Sequence, residues 1–67
     1  QMRFFLKNYS YDSNKILLYK FRNSYRVHCS FYNLKDWVKS LGTKEFIFNT
    51  FDDAEQKAKE IRANGGF

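Results

Sequence analysis

The sequence contains no proline, one cysteine, one histidine and three glycines among its 67 residues. The absence of proline is unusual for a disordered segment, and aromatic residues make up 21% of the chain, so we expect a folded domain with a core dense in rings. A single Cys29 cannot form a disulfide within the chain. This excludes a small scaffold stabilised by several internal disulfides and favours a reducing, cytoplasmic setting.

Long apolar runs are also missing. No segment approaches the ~20 apolar residues that span a bilayer, and the stretch RFFLKNYSYDSNK is too polar for the apolar part of a signal peptide. A chain of 67 residues has room for one domain, which we place at residues 1–67. We therefore expect a single soluble domain without a membrane partner.

The stretch RVHCSFYN is the one place where an active site or metal site could begin, because it holds both His28 and Cys29. Its composition is typical of a β-strand, in which adjacent side chains point to opposite sides, so these two cannot act together. A metal site would need further ligands that the chain does not supply. Asp52 and Asp53 are explained by the positive end of a helix dipole. We expect no enzyme activity, no catalytic residues, no metal and no cofactor.

Positive charge is concentrated in the first half of the chain. Residues 1–33 carry a net charge of +5, with only Asp12 opposing six basic residues, namely Arg3, Lys7, Lys15, Lys20, Arg22 and Arg26. Residues 34–67 carry six basic and six acidic groups. Such asymmetry favours an anionic partner for the N-terminal half, although a purely solubilising charge is the alternative.

Periodicity predicts the secondary structure. Three runs rich in aromatic and branched residues, MRFFLKNY, KILLYKFR and YRVHCSFY, predict strands, with a turn at Asn23-Ser24 between the second and third. Further strand and helix signals follow, and the order is βββαβα. We expect a small single α+β domain with an antiparallel sheet and helices packed on one face.

The last three predicted elements have well-marked ends. A helix is predicted over 34–41, because Leu34, Trp37, Val38 and Leu41 recur at helical spacing between a capping Asn33 and Gly42. KEFIFN predicts a fourth strand. The final helix follows a capping Thr50 and stops at Gly65, and its predicted buried stripe is Phe51, Ala54, Ala58 and Ile61.

The candidate functional surface is the outer face of the sheet. If Phe4 and Leu6 point inward, the side chains that share the outer face are Arg3, Phe5, Lys7, Lys20, Arg22, Arg26 and His28. Cations neutralise phosphates and aromatic rings stack on bases, so this basic, aromatic face predicts a small nucleic-acid-binding module.

A second function stays open because the second strand is apolar on both sides. Ile16 and Leu18 share one side with Lys20, while Leu17, Tyr19 and Phe21 occupy the other. Such a strand is either central in the sheet or part of an exposed apolar patch. The alternative function is therefore a protein-interaction module, an inhibitor or adaptor that docks on a larger protein or forms a homodimer.

The strand and helix start at NTFDDAEQKAKEI resemble the last strand and helix of several unrelated small folds. These are the HicB antitoxins, the plant ethylene-response DNA-binding domains and the arm-binding domains of phage tyrosine recombinases. In the last two, a three-stranded sheet reads DNA, so the resemblance implies DNA in preference to RNA. It covers a small part of the chain, carries over no site residue, and the predicted helix at 34–41 departs from all three patterns. The abundance of Asn, Lys, Phe and Tyr is also typical of AT-rich genomes, such as those of some phages.

Overall fold

The computed structural model describes residues 2–12, 14–32 and 40–66, which form four β-strands followed by one α-helix. The elements are β1 (Phe4–Asn8), β2 (Lys15–Phe21), β3 (Ser24–Tyr32), β4 (Ser40–Phe48) and α1 (Phe51–Asn64). The strands make one antiparallel sheet in the order β1-β2-β3-β4. The predicted α+β class is confirmed, with an antiparallel sheet and a C-terminal helix on one of its faces.

The predicted helix over 34–41 lies mostly outside the described residues, and there it stays a prediction, Trp37 included. Its last two residues, Ser40 and Leu41, belong to β4, which begins at Ser40 and not at Lys44 as predicted. Gly42 does not end a helix. It has a φ of 148° and lies where the β3–β4 ladder shifts register, a backbone irregularity that glycine accommodates easily.

The turn between β2 and β3 has two residues, as predicted, but it lies one position earlier in the chain than the sequence predicts. Phe21 pairs with Ser24, so the two turn residues are Arg22 and Asn23, one position earlier than expected. Arg22 takes a left-handed φ of 57°, and the Ser24 hydroxyl closes the turn by donating to the Phe21 carbonyl at 2.8 Å. This left-handed backbone conformation is about 1 kcal/mol less favourable than the right-handed one for a non-glycine residue. It places the Arg22 side chain at the end of the sheet.

A register shift in β1 changes which side chains face each side of the sheet. Phe5 lies opposite Tyr19, but Lys7 lies opposite Leu18, so Leu6 is the extra residue of a bulge. The prediction that Phe4 and Leu6 point into the core is wrong, since these side chains are 57% and 43% exposed. The helix packs over β2, β3 and β4, whereas the edge strand β1 lies beyond it and meets it through the Lys7 side chain.

The core lies between the sheet and α1. Its buried apolar residues are Tyr9, Ile16, Leu18, Val27, Cys29, Phe31, Ala54, Ala58 and Ile61. The burial of Val27, Cys29 and Phe31 confirms the predicted alternation of side chains in β3. Each fully buried aliphatic side chain, such as that of Val27, stabilises the folded state by about 1.5–3 kcal/mol.

The ends of α1 match the sequence prediction. The Thr50 hydroxyl accepts a hydrogen bond from the Asp53 amide at 3.2 Å, and Gly65 ends the helix with a φ of 71°. Ala54, Ala58 and Ile61 are buried as predicted, and a partly buried Phe51 packs against them. Within the described residues, no helix is both long and apolar enough to cross a membrane.

Candidate nucleic-acid interface

The side of the sheet opposite α1 carries the candidate site, and we call it the open face. Pairing and strand alternation place on it Phe5, Leu17, Tyr19, Phe21, Arg26, His28, Glu45 and Ile47. Arg3 joins them, because its guanidinium lies over the Tyr19 ring at 5.7 Å. Of the elements in the described ranges, the helix packs on the other side, against Ile16, Leu18, Val27 and Cys29.

The structure brings four of the seven predicted site residues together on the open face, namely Arg3, Phe5, Arg26 and His28. Arg22 lies in the hairpin turn at the end of the sheet. Lys7 and Lys20 lie on the helix side, for two different reasons. The β1 bulge moves the Lys7 side chain from the open face to the helix side. Lys20 lies on the helix side because it has the same strand parity as the buried Ile16 and Leu18 on β2.

Lys7 is engaged in a separate cluster that joins the β1 end of the sheet to α1. Its Nζ donates to Glu55 Oε2 at 3.0 Å, the Tyr9 hydroxyl donates to the same oxygen, and Lys59 Nζ lies 3.8 Å from Glu55 Oε1. The hydrogen bonds from Tyr9 and Lys7 lower the pKa of Glu55, and the bond to Glu55 raises the pKa of Lys7. Burial raises the pKa of Tyr9.

Glu45 lies among the cations of the open face. Its carboxylate is 3.2 Å from Arg26 Nη1 and 3.9 Å from Arg3 Nη2. His28 Nδ1, which makes no hydrogen bond within the described residues, lies 3.5 Å from Glu45 Oε2. The alternation of KEFIFN separates Glu45 from the core-facing Phe46, but only the β3–β4 register shows that Glu45 lies opposite His28.

Guanidinium groups and aromatic rings alternate on this face. The guanidinium groups of Arg26 and Arg22 lie 4.5 Å and 5.6 Å from the Phe21 ring centre, and Phe5 meets Tyr19 edge to face at 6.1 Å. Arg26 Nε also donates to Ser24 Oγ at 3.3 Å. Ring contact, hydroxyl and carboxylate together fix the plane of the Arg26 guanidinium.

Tyr19, Phe21, Glu45 and Ile47 are site residues that sequence reasoning missed. For Tyr19 and Phe21 the signal was their shared parity, opposite to that of Ile16 and Leu18, and it needed only the knowledge of which side faces the helix.

His28 and Cys29, the two residues considered for an active site or metal site, lie on opposite faces of the sheet. Cys29 is buried on the helix side, where desolvation raises its pKa to about 11, while His28 lies on the open face. Across residues 2–12, 14–32 and 40–66, no group of three or more His, Cys, Asp or Glu side chains is placed to hold a metal ion.

Comparison of the chain with family models, with curated proteins and with solved structures yields no match. The function is therefore argued from the open face.

Proposed function

We propose that this domain binds nucleic acid through its open face. The observation that carries the proposal is the alternation of Arg3, Arg26 and Arg22 with the rings of Tyr19 and Phe21. Guanidinium groups bind phosphates and stack on bases, and aromatic rings stack on any base.

The charge around the hairpin end supports the same ligand. Arg22 in the turn lies beside Arg26, since both guanidinium groups contact the Phe21 ring, and the carboxylate that opposes them is Glu45. The chain as a whole carries a net charge of +5. A phosphate backbone passing the hairpin end would therefore meet an excess of positive charge. DNA is the first ligand to test, because the resemblance of the last strand and helix favours it.

Fluorescence anisotropy of labelled oligonucleotides, titrated at several salt concentrations, tests this function. We expect binding that weakens as salt rises, because phosphate contacts release counterions. If neither DNA nor RNA binds tighter than about 100 μM at physiological salt, the proposal fails.

A protein-interaction module is the second candidate, and a specific observation favours it. Met2, Phe4 and Leu6 are 69%, 57% and 43% exposed on or beside β1, which lies at the edge of the sheet. Exposed apolar residues on an edge strand are typical of surfaces that pair with another chain. A larger protein or a second copy of this chain would fit such an edge.

Two measurements separate these candidates. Partners captured from a lysate and lost after nuclease treatment point to nucleic acid, whereas partners that persist point to a protein. Sedimentation over a range of concentrations detects a homodimer. A reducing, cytoplasmic location is also part of this proposal, and its support is the single, buried Cys29.

A further inference from the structure

One row of side chains crosses the whole open face. Phe5 lies opposite Tyr19, Tyr19 opposite Arg26, and Arg26 opposite Ile47, so each strand contributes one member. Neighbouring strands are about 4.8 Å apart, and the row therefore spans about 14 Å from Phe5 to Ile47.

The members of the row offer flat or apolar surface. Phe5 and Ile47, at its two ends, are 56% and 59% exposed. The edge contact with Tyr19 holds the Phe5 ring, and the guanidinium of Arg26 is a planar cation. Hydrogen-bonding groups are confined to Tyr19 and Arg26, so the row has little capacity to read the edges of base pairs.

The width of the row also bears on the form of the nucleic acid. The major groove of duplex DNA is about 12 Å wide and admits a two-stranded ribbon, whereas a row of about 14 Å across four strands exceeds it before side chains are added. In a duplex the faces of the bases are stacked on one another, so an exposed ring such as Phe5 has no base face to contact. In a single strand those faces are available.

We infer that the open face binds single-stranded nucleic acid in preference to duplex, with unpaired bases lying on the row Phe5–Tyr19–Arg26–Ile47. This inference rests on the proposed function, and it adds the form of the ligand. The phosphates follow the guanidinium groups of Arg3, Arg22 and Arg26, while the Phe5 ring supplies a stacking surface.

The experiment compares Phe5→Leu with Phe4→Leu. The two phenylalanines are neighbours in β1 and almost equally exposed, at 56% and 57%, but Phe4 lies opposite Lys20, away from the open face. Each change removes one ring, keeps an apolar side chain and leaves the charge unchanged. Affinities are measured for one DNA sequence as a single strand and as a duplex, and for the corresponding single-stranded RNA.

We expect the unchanged protein to bind the single strands at least about tenfold tighter than the duplex. Phe5→Leu should weaken single-strand binding by about 5- to 100-fold, the range expected when one stacked ring is removed, without altering the salt slope. Phe4→Leu should change it by less than about twofold. Thermal melting of both variants confirms that the fold is kept.

Three results would overturn the inference. Duplex binding as tight as single-strand binding would reject the preferred form while leaving the proposed function standing. Equal effects of Phe5→Leu and Phe4→Leu on single-strand affinity would show that the row is not part of the interface. Failure of every nucleic acid to bind would reject both the inference and the proposed function.

Discussion

Glu45 Oε1 lies 3.2 Å from Arg26 Nη1, and the Arg26 guanidinium in turn lies 4.5 Å from the centre of the Phe21 ring. The carboxylate is thus paired with a cation to which a phosphate would also bind. Since Arg3 and His28 lie within 4 Å of the same carboxylate, Glu45 is an internal competitor for an anionic ligand. Arg26 is 25% exposed at its side chain, so the pair is partly desolvated but still accessible.

Neutralising Glu45 should strengthen nucleic-acid binding. We expect Glu45→Gln to raise affinity about fivefold, equivalent to about 1 kcal/mol, because Arg3 and Arg26 become available to phosphate. The salt slope should rise by about one unit, as expected when one more phosphate is neutralised. The measurement is an anisotropy titration at several salt concentrations.

Glu60→Gln is the matched control for Glu45→Gln. It removes the same charge from the exposed face of α1, where Glu60 pairs with Lys57 at 3.1 Å. A general charge effect would make the two variants equal, contrary to the competitor role. Weaker binding by Glu45→Gln would mean that Glu45 accepts hydrogen bonds from the ligand itself.

The positive charge of the hairpin end should matter more than an equal charge on the helix. We expect the double change Arg22→Gln, Arg26→Gln to reduce affinity across sequences and to lower the salt slope by about two units. The double change Lys57→Gln, Lys59→Gln removes the same charge from α1 and should have a much smaller effect. Equal losses in the two proteins would show that binding is diffuse and that the open face has no special role.

Local chemistry is the part of the fold that the sequence predicts well. The cap at Thr50 and the stop at Gly65 depend on neighbouring residues, and both are present in α1. The alternation of β3 is equally local, which is why burial of Val27 and Cys29 could be predicted. Each of these features is determined within a few positions of the chain.

Strand pairing is the part of the fold that local sequence patterns did not predict. The β1 bulge that moves Lys7 to the helix side is visible only in the ladder with β2. The place of Glu45 beside His28 and Arg26 follows from the register of β3 and β4, whose residues are distant in sequence. Helical spacing likewise predicted a helix through Leu41, but that residue belongs to β4, between two positions, Ser40 and Gly42, that pair with β3. The residues of the candidate site whose place depends on strand pairing could therefore be found only from the structure.

Cys29 should react slowly with thiol reagents in the folded protein. Its side chain is fully buried, and desolvation raises its pKa to about 11, so little thiolate exists near neutral pH. We expect labelling to become fast only in denaturant. An Ile47→Cys variant is the control, because that position is 59% exposed and should label at once in the native state. Rapid native labelling of Cys29 itself would contradict its place in the core.

The cluster of Glu55, Tyr9 and Lys7 should make stability depend on pH at the acid end. Hydrogen bonds from Tyr9 and Lys7 lower the pKa of Glu55 from its ordinary value of 4.5, so the folded protein binds this proton less readily than the unfolded chain does. The contribution of Glu55 to the free energy of unfolding is therefore fully present above pH 4.5 and is lost as pH falls through the folded-state pKa. Glu55→Gln should lower stability at neutral pH and flatten this acid dependence, as followed by chemical denaturation at a series of pH values. Glu60→Gln, on the same helix but without a tyrosine partner, should keep the acid dependence of the unchanged protein. If both variants retain it fully, another carboxylate is responsible, and the Tyr9–Glu55 contact does not stabilise the attachment of β1 to α1.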